Sequence, residues 1–363
     1  MAQLSLDTTS YTMDQLEKKY RDFFAPAYEI KVDGTKIADE IAVSMIRVDT
    51  SIEGTADSFS FRITNAYDIT NSELKWLNVF TLNKSIDISL GYVDKFTPVF
   101  SGTITSVVAD FPEGENPGLI VRGMDLSYLM MKGPKSRSWN NKKYSDVVSE
   151  IAKEYGAKAN VDATTTQFPT ISQSQADDYH FIEHLAKLLN YDFFVVGKNL
   201  YFRKPLTNMT PVLTLEMGKT LRNLSIDMNL AEQITGVTVR AWDNKELKVI
   251  EGKSGSITKL GSNSKTGKDL LASSGDFTEY MYTNAASQEE AKSYADALLN
   301  RRSMRLISGT GECIRIPEIR SGRYIKLSGL GSKLDQPYYV TGATHLYNDD
   351  GYVTRFQVGG NAV

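Results

Sequence analysis

Between residues 139 and 204 the apolar positions recur first at helical and then at strand spacing. Tyr144, Val147, Val148, Ile151, Ala152 and Tyr155 form one stripe, with Ser145 as capping candidate and Gly156 where a left-handed residue ends a helix. Phe181, Ile182, Leu185, Leu188 and Leu189 form a second stripe behind the acidic pair Asp177 and Asp178. Tyr191 to Val196 and Leu200 to Arg203 then read as a hairpin turning at Gly197, Lys198 and Asn199. Before residue 125 the pattern is alternating or β-branched throughout. Ile41 to Asp49, Ser58 to Ile63, Ile86 to Tyr92, Val99 to Ala109 and Leu119 to Gly123 are predicted strands, separated by turn formers such as Asp33-Gly34 and Asn116-Pro117-Gly118. Strands return after residue 206: Leu221 to Met228, Ile234 to Trp242, Met304 to Ile316, Tyr324 to Leu327, Tyr338 to Leu346 and Tyr352 to Val358.

The two β regions parallel each other. Ile86 to Gly91, Phe100 to Thr105 and Leu119 to Gly123 run alongside Tyr324 to Gly329, Val340 to His345 and Phe356 to Gly359. Between Lys248 and Asp276 the text turns Gly-, Ser- and Lys-rich, the composition of a solvated excursion or mobile hairpin that only Ile257, Leu260, Leu270 and Leu271 would anchor. Ser287 with Glu290 makes a capping box for a helix carrying Ala291, Tyr294, Ala295, Leu298 and Leu299 and ending near Arg301.

The fold class expected is mainly β with an α+β middle region, two related antiparallel β-barrel domains plus a small α/β domain. Residues 1–24 form an N-terminal arm, 25–125 the first barrel and 126–206 the α/β domain. Residues 207–245 and 304–363 close a second, split barrel around an insertion at 246–303. A chain of 363 residues with 41% hydrophobic content is long enough for several cores. A net charge of −3 argues against a dedicated nucleic-acid binder. Cys313, the one cysteine, lies among apolar residues and reads as a buried small side chain. The first twenty residues carry no apolar run of signal-peptide length, and nothing approaches the ~20 apolar residues of a membrane span, so general export is not expected.

The order of motifs resembles the hub proteins of contractile injection machines, the phage late control protein D and VgrG family. The resemblance rests on the helix start Tyr144, Ser145, Asp146, Val147, Val148 and the acidic-aromatic helix Asp177 to Ala186. It extends to the N-terminal stretch Tyr20, Phe23, Phe24 and Ala25 to Gly34. It implies a structural, non-enzymatic hub: a homotrimer whose two barrels per chain form a pseudo-sixfold ring joining a sixfold tail tube to a threefold spike. Two similar edges per subunit let three subunits present six near-equivalent surfaces. The partners implied are further copies of the chain, a tail tube protein, a spike on a separate polypeptide, and wedge or tape-measure proteins. Assembly in the bacterial cytoplasm into a phage tail or tail-like particle is the expected setting.

Several short words imitate chemistry. His180, Glu183 and His184 spell H-x-x-E-H, in which two imidazoles one turn apart hold zinc while the carboxylate acts as base; a zinc-dependent peptidoglycan hydrolase would rest on them. Both histidines fall off the stripe centred on Leu185, no third ligand is marked nearby, and polar helix surface is the reading preferred, with no metal, cofactor or catalytic residue assigned. Ser256 with Lys259 and Lys265-Thr266-Gly267 imitate penicillin-recognising enzymes, but both words fall in the polar loop. Lys132, Lys135, Arg137, Trp139, Lys142 and Lys143 form a basic run that reads as a solvated interdomain loop, since Gly133-Pro134 and Asn140-Asn141 mark irregular backbone. The 19 tyrosines and 3 tryptophans leave a carbohydrate-binding β protein as a further alternative.

Overall fold

The computed structural model describes residues 4–243, 246–261 and 265–363. A first helix, α1 (Met13–Lys19), leads into β1 (Pro26–Val32), β2 (Thr35–Lys36), β3 (Val43–Ser51), β4 (Ser58–Ile63), β5 (Tyr67–Asp68), β6 (Glu73–Leu74), β7 (Ser85–Tyr92), β8 (Lys95–Asp110) and β9 (Gly118–Met124). The alternation predicted for these strands is realised. In β4, Phe59, Phe61 and Ile63 point to the core, while Ser58, Ser60 and Arg62 between them are half-buried.

The middle region holds α2 (Ser127–Met130), β10 (Lys135–Lys142), α3 (Tyr144–Glu154), β11 (Lys158–Val161), β12 (Phe168–Ala176), α4 (Asp178–Leu189), β13 (Asp192–Val196) and β14 (Asn199–Arg203). Helices α3 and α4 bury Val147, Val148, Ile151, Ala152, Phe181, Ile182 and Leu185 in one cluster with Phe193, Leu200 and Phe202. Gly156 adopts φ 65 just past α3, as its position predicted. Ser145 is not the cap. The helix begins one residue earlier, the Lys143 N–H donates to Asp146 at 3.0 Å, and the buried Ser145 accepts from the Thr164 N–H at 3.2 Å.

There follow β15 (Pro211–Glu216), β16 (Leu221–Met228), β17 (Gly236–Asp243), β18 (Lys248–Lys253), α5 (Gly267–Leu271), β19 (Thr278–Tyr282), α6 (Gln288–Ser303), β20 (Ile307–Cys313), β21 (Tyr324–Ser328), β22 (Pro337–Asn348) and β23 (Gly351–Gly360). One large sheet contains the order β3-β4-β9-β8-β7-β1 and, joined to it where β22 pairs with β3, the order β16-β20-β23-β22 with β21 and β15 beyond β22. A single apolar cluster runs through both halves, from Ile46 and Phe61 to Val340 and Phe356.

Three expectations are corrected. The strand predicted at Ile234 to Trp242 is β17, the centre of a separate sheet ordered β18-β17-β19, and does not join β22. Val237 and Val239 bury themselves against Ala291, Ala295 and Leu298 of α6. The apolar face that suggested membership of the second barrel has its own helix to cover it. The Gly- and Ser-rich segment, of which residues 262–264 lie outside the described residues, is packed: the Gly255 N–H donates to Asp296 at 2.6 Å, the Leu260 N–H to Asn361 at 2.8 Å, and Leu260 is buried against Tyr324 and Tyr339. Leu260 is among the four anchors the sequence offered; the Gly255 and Leu260 backbone hydrogen bonds are not legible, because such bonds leave no mark in composition. The basic run is strand β10 and not an irregular loop, since pairing with β12 satisfies its backbone.

Candidate functional site

The charged residues of the middle region converge on one carboxylate. Asp177 caps α4 by accepting the His180 N–H at 2.8 Å, and Asp178 turns inward beneath β10 and β12. Its buried carboxylate accepts from Lys135 Nζ (2.6 Å), Arg137 (2.6 Å), the Tyr155 hydroxyl (2.7 Å) and Gln173 Nε2 (2.9 Å). Burial alone would raise its pKa, but the Lys135, Tyr155 and Gln173 donors hold it below the usual carboxylate range. Lys142 pairs with Glu150 at 2.6 Å, and Trp139 stacks on Phe181. Lys135, Arg137 and Lys142 are thus engaged inside the domain rather than free to meet phosphate.

His180, Glu183 and His184 do not form a constellation. His180 is exposed with Nδ1 2.7 Å from Asp177, Glu183 pairs with Lys187 at 2.6 Å, and His184 is exposed beside a groove lined by Lys187, Tyr282 and Arg301. Among the described residues no three His, Cys, Asp or Glu side chains are placed to share a metal ion. A variant carrying His180→Ala and His184→Ala should unfold within about 0.5 kcal/mol of wild type, the range for surface substitutions. Urea titration with metal analysis checks this, and stoichiometric zinc lost in the variant would contradict it. The penicillin-enzyme words are structural as well: Thr266 caps α5, and Lys265 exchanges backbone hydrogen bonds with Val363. Tyr20, Tyr92, Tyr179, Tyr338 and Tyr352 are fully buried, while Trp242, Tyr280 and Tyr282 are exposed on the three-stranded sheet.

The third histidine is buried in the second half of the large sheet. His345 Nε2 donates to the Ile319 carbonyl at 2.9 Å and Nδ1 accepts the Tyr352 hydroxyl at 2.7 Å. Burial pushes its pKa down to about 4.

The junction between the halves carries the densest polar chemistry. Strands β3 and β22 pair antiparallel over Ile46 to Ser51, and the Thr344 hydroxyl donates to Asp49 at 2.6 Å. At one end of this seam Arg320 donates to the buried Asp57 and to the Val99 carbonyl (2.9 Å), while Asp57 also accepts the Ser51 N–H at 3.0 Å. Asp125 is buried alongside: its N–H donates to the Asp57 carbonyl and its carboxylate accepts the Ser127 N–H at 2.9 Å. The guanidinium pairs with Asp57 alone, and Asp125 lies behind it without a cation of its own among the described residues. Burial, with the Asp57 charge second, pushes Asp125 up to about 8. Nothing in the sequence pattern marked this cluster, since its members come from three separate loops.

The large antiparallel sheet with an α/β middle region is a fold shared with proteins described as tail proteins. The structure is similar to the 43 kDa tail protein of prophage MuSo2 from Shewanella oneidensis, with TM-score 0.69 and 14% identity over 92% of this chain and 98% of that one. It is similar to a tail protein from Neisseria meningitidis, with TM-score 0.67 and 13% identity over 93% and 97%. It is also similar to an E. coli type VI secretion component described as structurally similar to T4 bacteriophage tail proteins, with TM-score 0.57 and 12% identity over 92% and 77%. The resemblance drawn from motif order therefore holds at the level of fold. The family model described as Alg8 N-terminal domain matches residues 25–349, and the chain belongs to that family. No curated protein matches.

Proposed function

We propose that the chain is a structural hub of a contractile tail or tail-like particle: a homotrimer forming a pseudo-sixfold ring between a hexameric tube and a trimeric spike. The observation that carries this reading is the five-strand antiparallel order repeated within one chain, with the free half of β22 in the second run pairing with the edge strand β3 of the first. A subunit that already contains one such junction needs only three copies to present six similar modules. The similarity of fold to phage tail and type VI secretion proteins supports the same setting. In this reading residues 25–125 are the first tube-like module and 126–206 the α/β domain. The second module is residues 211–228 and 307–360, narrower than the sequence suggested, and β17 to β19 with α6 form an accessory unit. The partners are a spike protein, a tail tube protein and, around them, wedge or tape-measure proteins. The role is architectural, in a particle assembled in the bacterial cytoplasm.

Light scattering of the chain co-expressed with its spike should give hub copies in multiples of three. A stable one-to-one complex of single chains would reject the ring.

A further inference from the structure

The two halves of the large sheet can be aligned residue by residue from their irregularities. The order β3-β4-β9-β8-β7 corresponds to β16-β20-β23-β22-β21, antiparallel throughout; the next strand differs, β1 running antiparallel to β7 and β15 parallel to β21. Against β9, β8 shifts register between Ile104 and Ser106; against β23, β22 shifts between Val340 and Gly342. Ile104 accepts the Asn83 N–H and donates to the Lys84 carbonyl, while Val340 accepts the Gly322 N–H and donates to the Arg323 carbonyl. Asn83 and Gly322 are both left-handed, with φ 69 and 79. Ile104 therefore matches Val340, four residues from the alignment of the bare sequences. Following the ladders outward, Ile46, Val48 and Thr50 of β3 match Leu224, Ile226 and Met228 of β16.

Within the chain the outer edge of β3 is covered by β22: Ala343 lies opposite Thr50, His345 opposite Val48, and Tyr347 opposite Ile46. The equivalent edges are bare. Among the described residues β16 pairs only with β20 from Arg222 to Met228, and β8 beyond Ile104 pairs only with β9. Where Ile46, Val48 and Thr50 are buried, their counterparts Leu224 and Ile226 are half-buried and Met228 is 56% exposed; Phe111, the counterpart of Tyr347, is 57% exposed. Bare edges with apolar side chains invite another strand.

We propose that β16 of one copy pairs antiparallel with residues 105–111 of a second copy, reproducing the β3–β22 junction between chains. The register places Val107 opposite Met228, Ala109 opposite Ile226 and Phe111 opposite Leu224. The Leu230 N–H then donates to the Thr105 carbonyl, as Ile52 does to Thr341 within the chain. The contact is head-to-tail, with different surfaces on the two copies, which is the kind that closes into rings. It rests on the ring reading above and supplies that ring's contact.

Val108 and Asp227 are the counterparts of Thr344 and Asp49, whose side chains meet at 2.6 Å, so cysteines there would lie within disulfide reach. Chains carrying Val108→Cys and chains carrying Asp227→Cys should, when mixed and oxidised, give a covalent one-to-one dimer. Neither variant alone should link, because Cys313 is buried. A pair shifted by two, Ser106→Cys with Asp227→Cys, should not link. Wild-type chains that oligomerise by light scattering while the matched pair stays unlinked, or links no better than the shifted pair, would overturn this contact and leave the ring standing. Chains that stay monomeric across concentration and with the spike would overturn both.

Discussion

Replacing Arg320 with Met should cost about 3–5 kcal/mol at pH 7, because it leaves the Asp57 carboxylate buried without the cation it pairs with. That is a large part of the ~5–15 kcal/mol that holds a typical domain together. The same cluster sets a pH dependence. In the fold Asp125 is pushed up to about 8, from 3.8 in the unfolded chain, so the folded state binds the extra proton between those values. Stability is therefore fullest below the unfolded value and declines as pH rises, by up to about 1.4 kcal/mol per pH unit, until the folded pKa is passed. Asp125→Asn removes the titration while keeping the shape. Urea midpoints at pH 6 and pH 9 should fall markedly in wild type and little in Asp125→Asn; parallel profiles would exclude Asp125 as the source. His345 has the opposite sign. Its folded pKa of about 4 lies below the ordinary 6.5, so its contribution is lost as pH falls through that interval.

The elements that could be read from the sequence are those whose apolar period is long and one-sided. Helices α3 and α4, strands β4 and β16 and the β22–β23 hairpin all lie within a few residues of their predicted places. Strand β1 is absent from the predicted strands although Tyr28, Ile30 and Val32 alternate with Glu29 and Lys31; Pro26 and Ala27 at its start weaken the strand signal, and pairing with β7 makes it regular. Strand β10 was passed over for another reason: its Lys and Arg side chains looked solvated, whereas Asp178 and Glu150 neutralise them. Asp178, 43 and 41 residues from Lys135 and Arg137, leaves no local period. The Asp57, Asp125 and Arg320 cluster was beyond sequence reasoning altogether, because burial and convergence are properties of the folded chain. The histidine word shows the reverse error that spelling invites: two side chains one turn apart on the wet face of α4 satisfy a motif, and among the described residues no third group is placed to complete it.

Val239→Asp should cost several kcal/mol, for a reason different from the one the sequence suggested. Val239 sits at the centre of β17, fully buried between its sheet neighbours and α6, and the cluster around it is apolar: Val237, Ile250, Ala291, Ala295 and Leu298. A carboxylate there has no donor to meet it and must either draw a proton from neutral solution or open the helix from the sheet. The helix lies so close that a methyl group on Gly252 would stand 2.1 Å from the Lys292 nitrogen, so α6 cannot shift to admit water without losing its seat. The next residue faces the other way. Arg240 pairs with Glu251 at 2.8 Å on the solvent side, and Arg240→Asp should melt close to wild type, since an exposed ion pair contributes little. Thermal unfolding of the two variants should therefore differ sharply although the positions are adjacent. Because the accessory unit has its own sheet and helix, Val239→Asp should melt β17 to β19 and α6 first, exposing their amides to hydrogen exchange while those of β22 and β23 stay protected. Simultaneous loss of protection in β17 and β22 would mean that the two sheets unfold as one, and that the accessory unit has no separate stability.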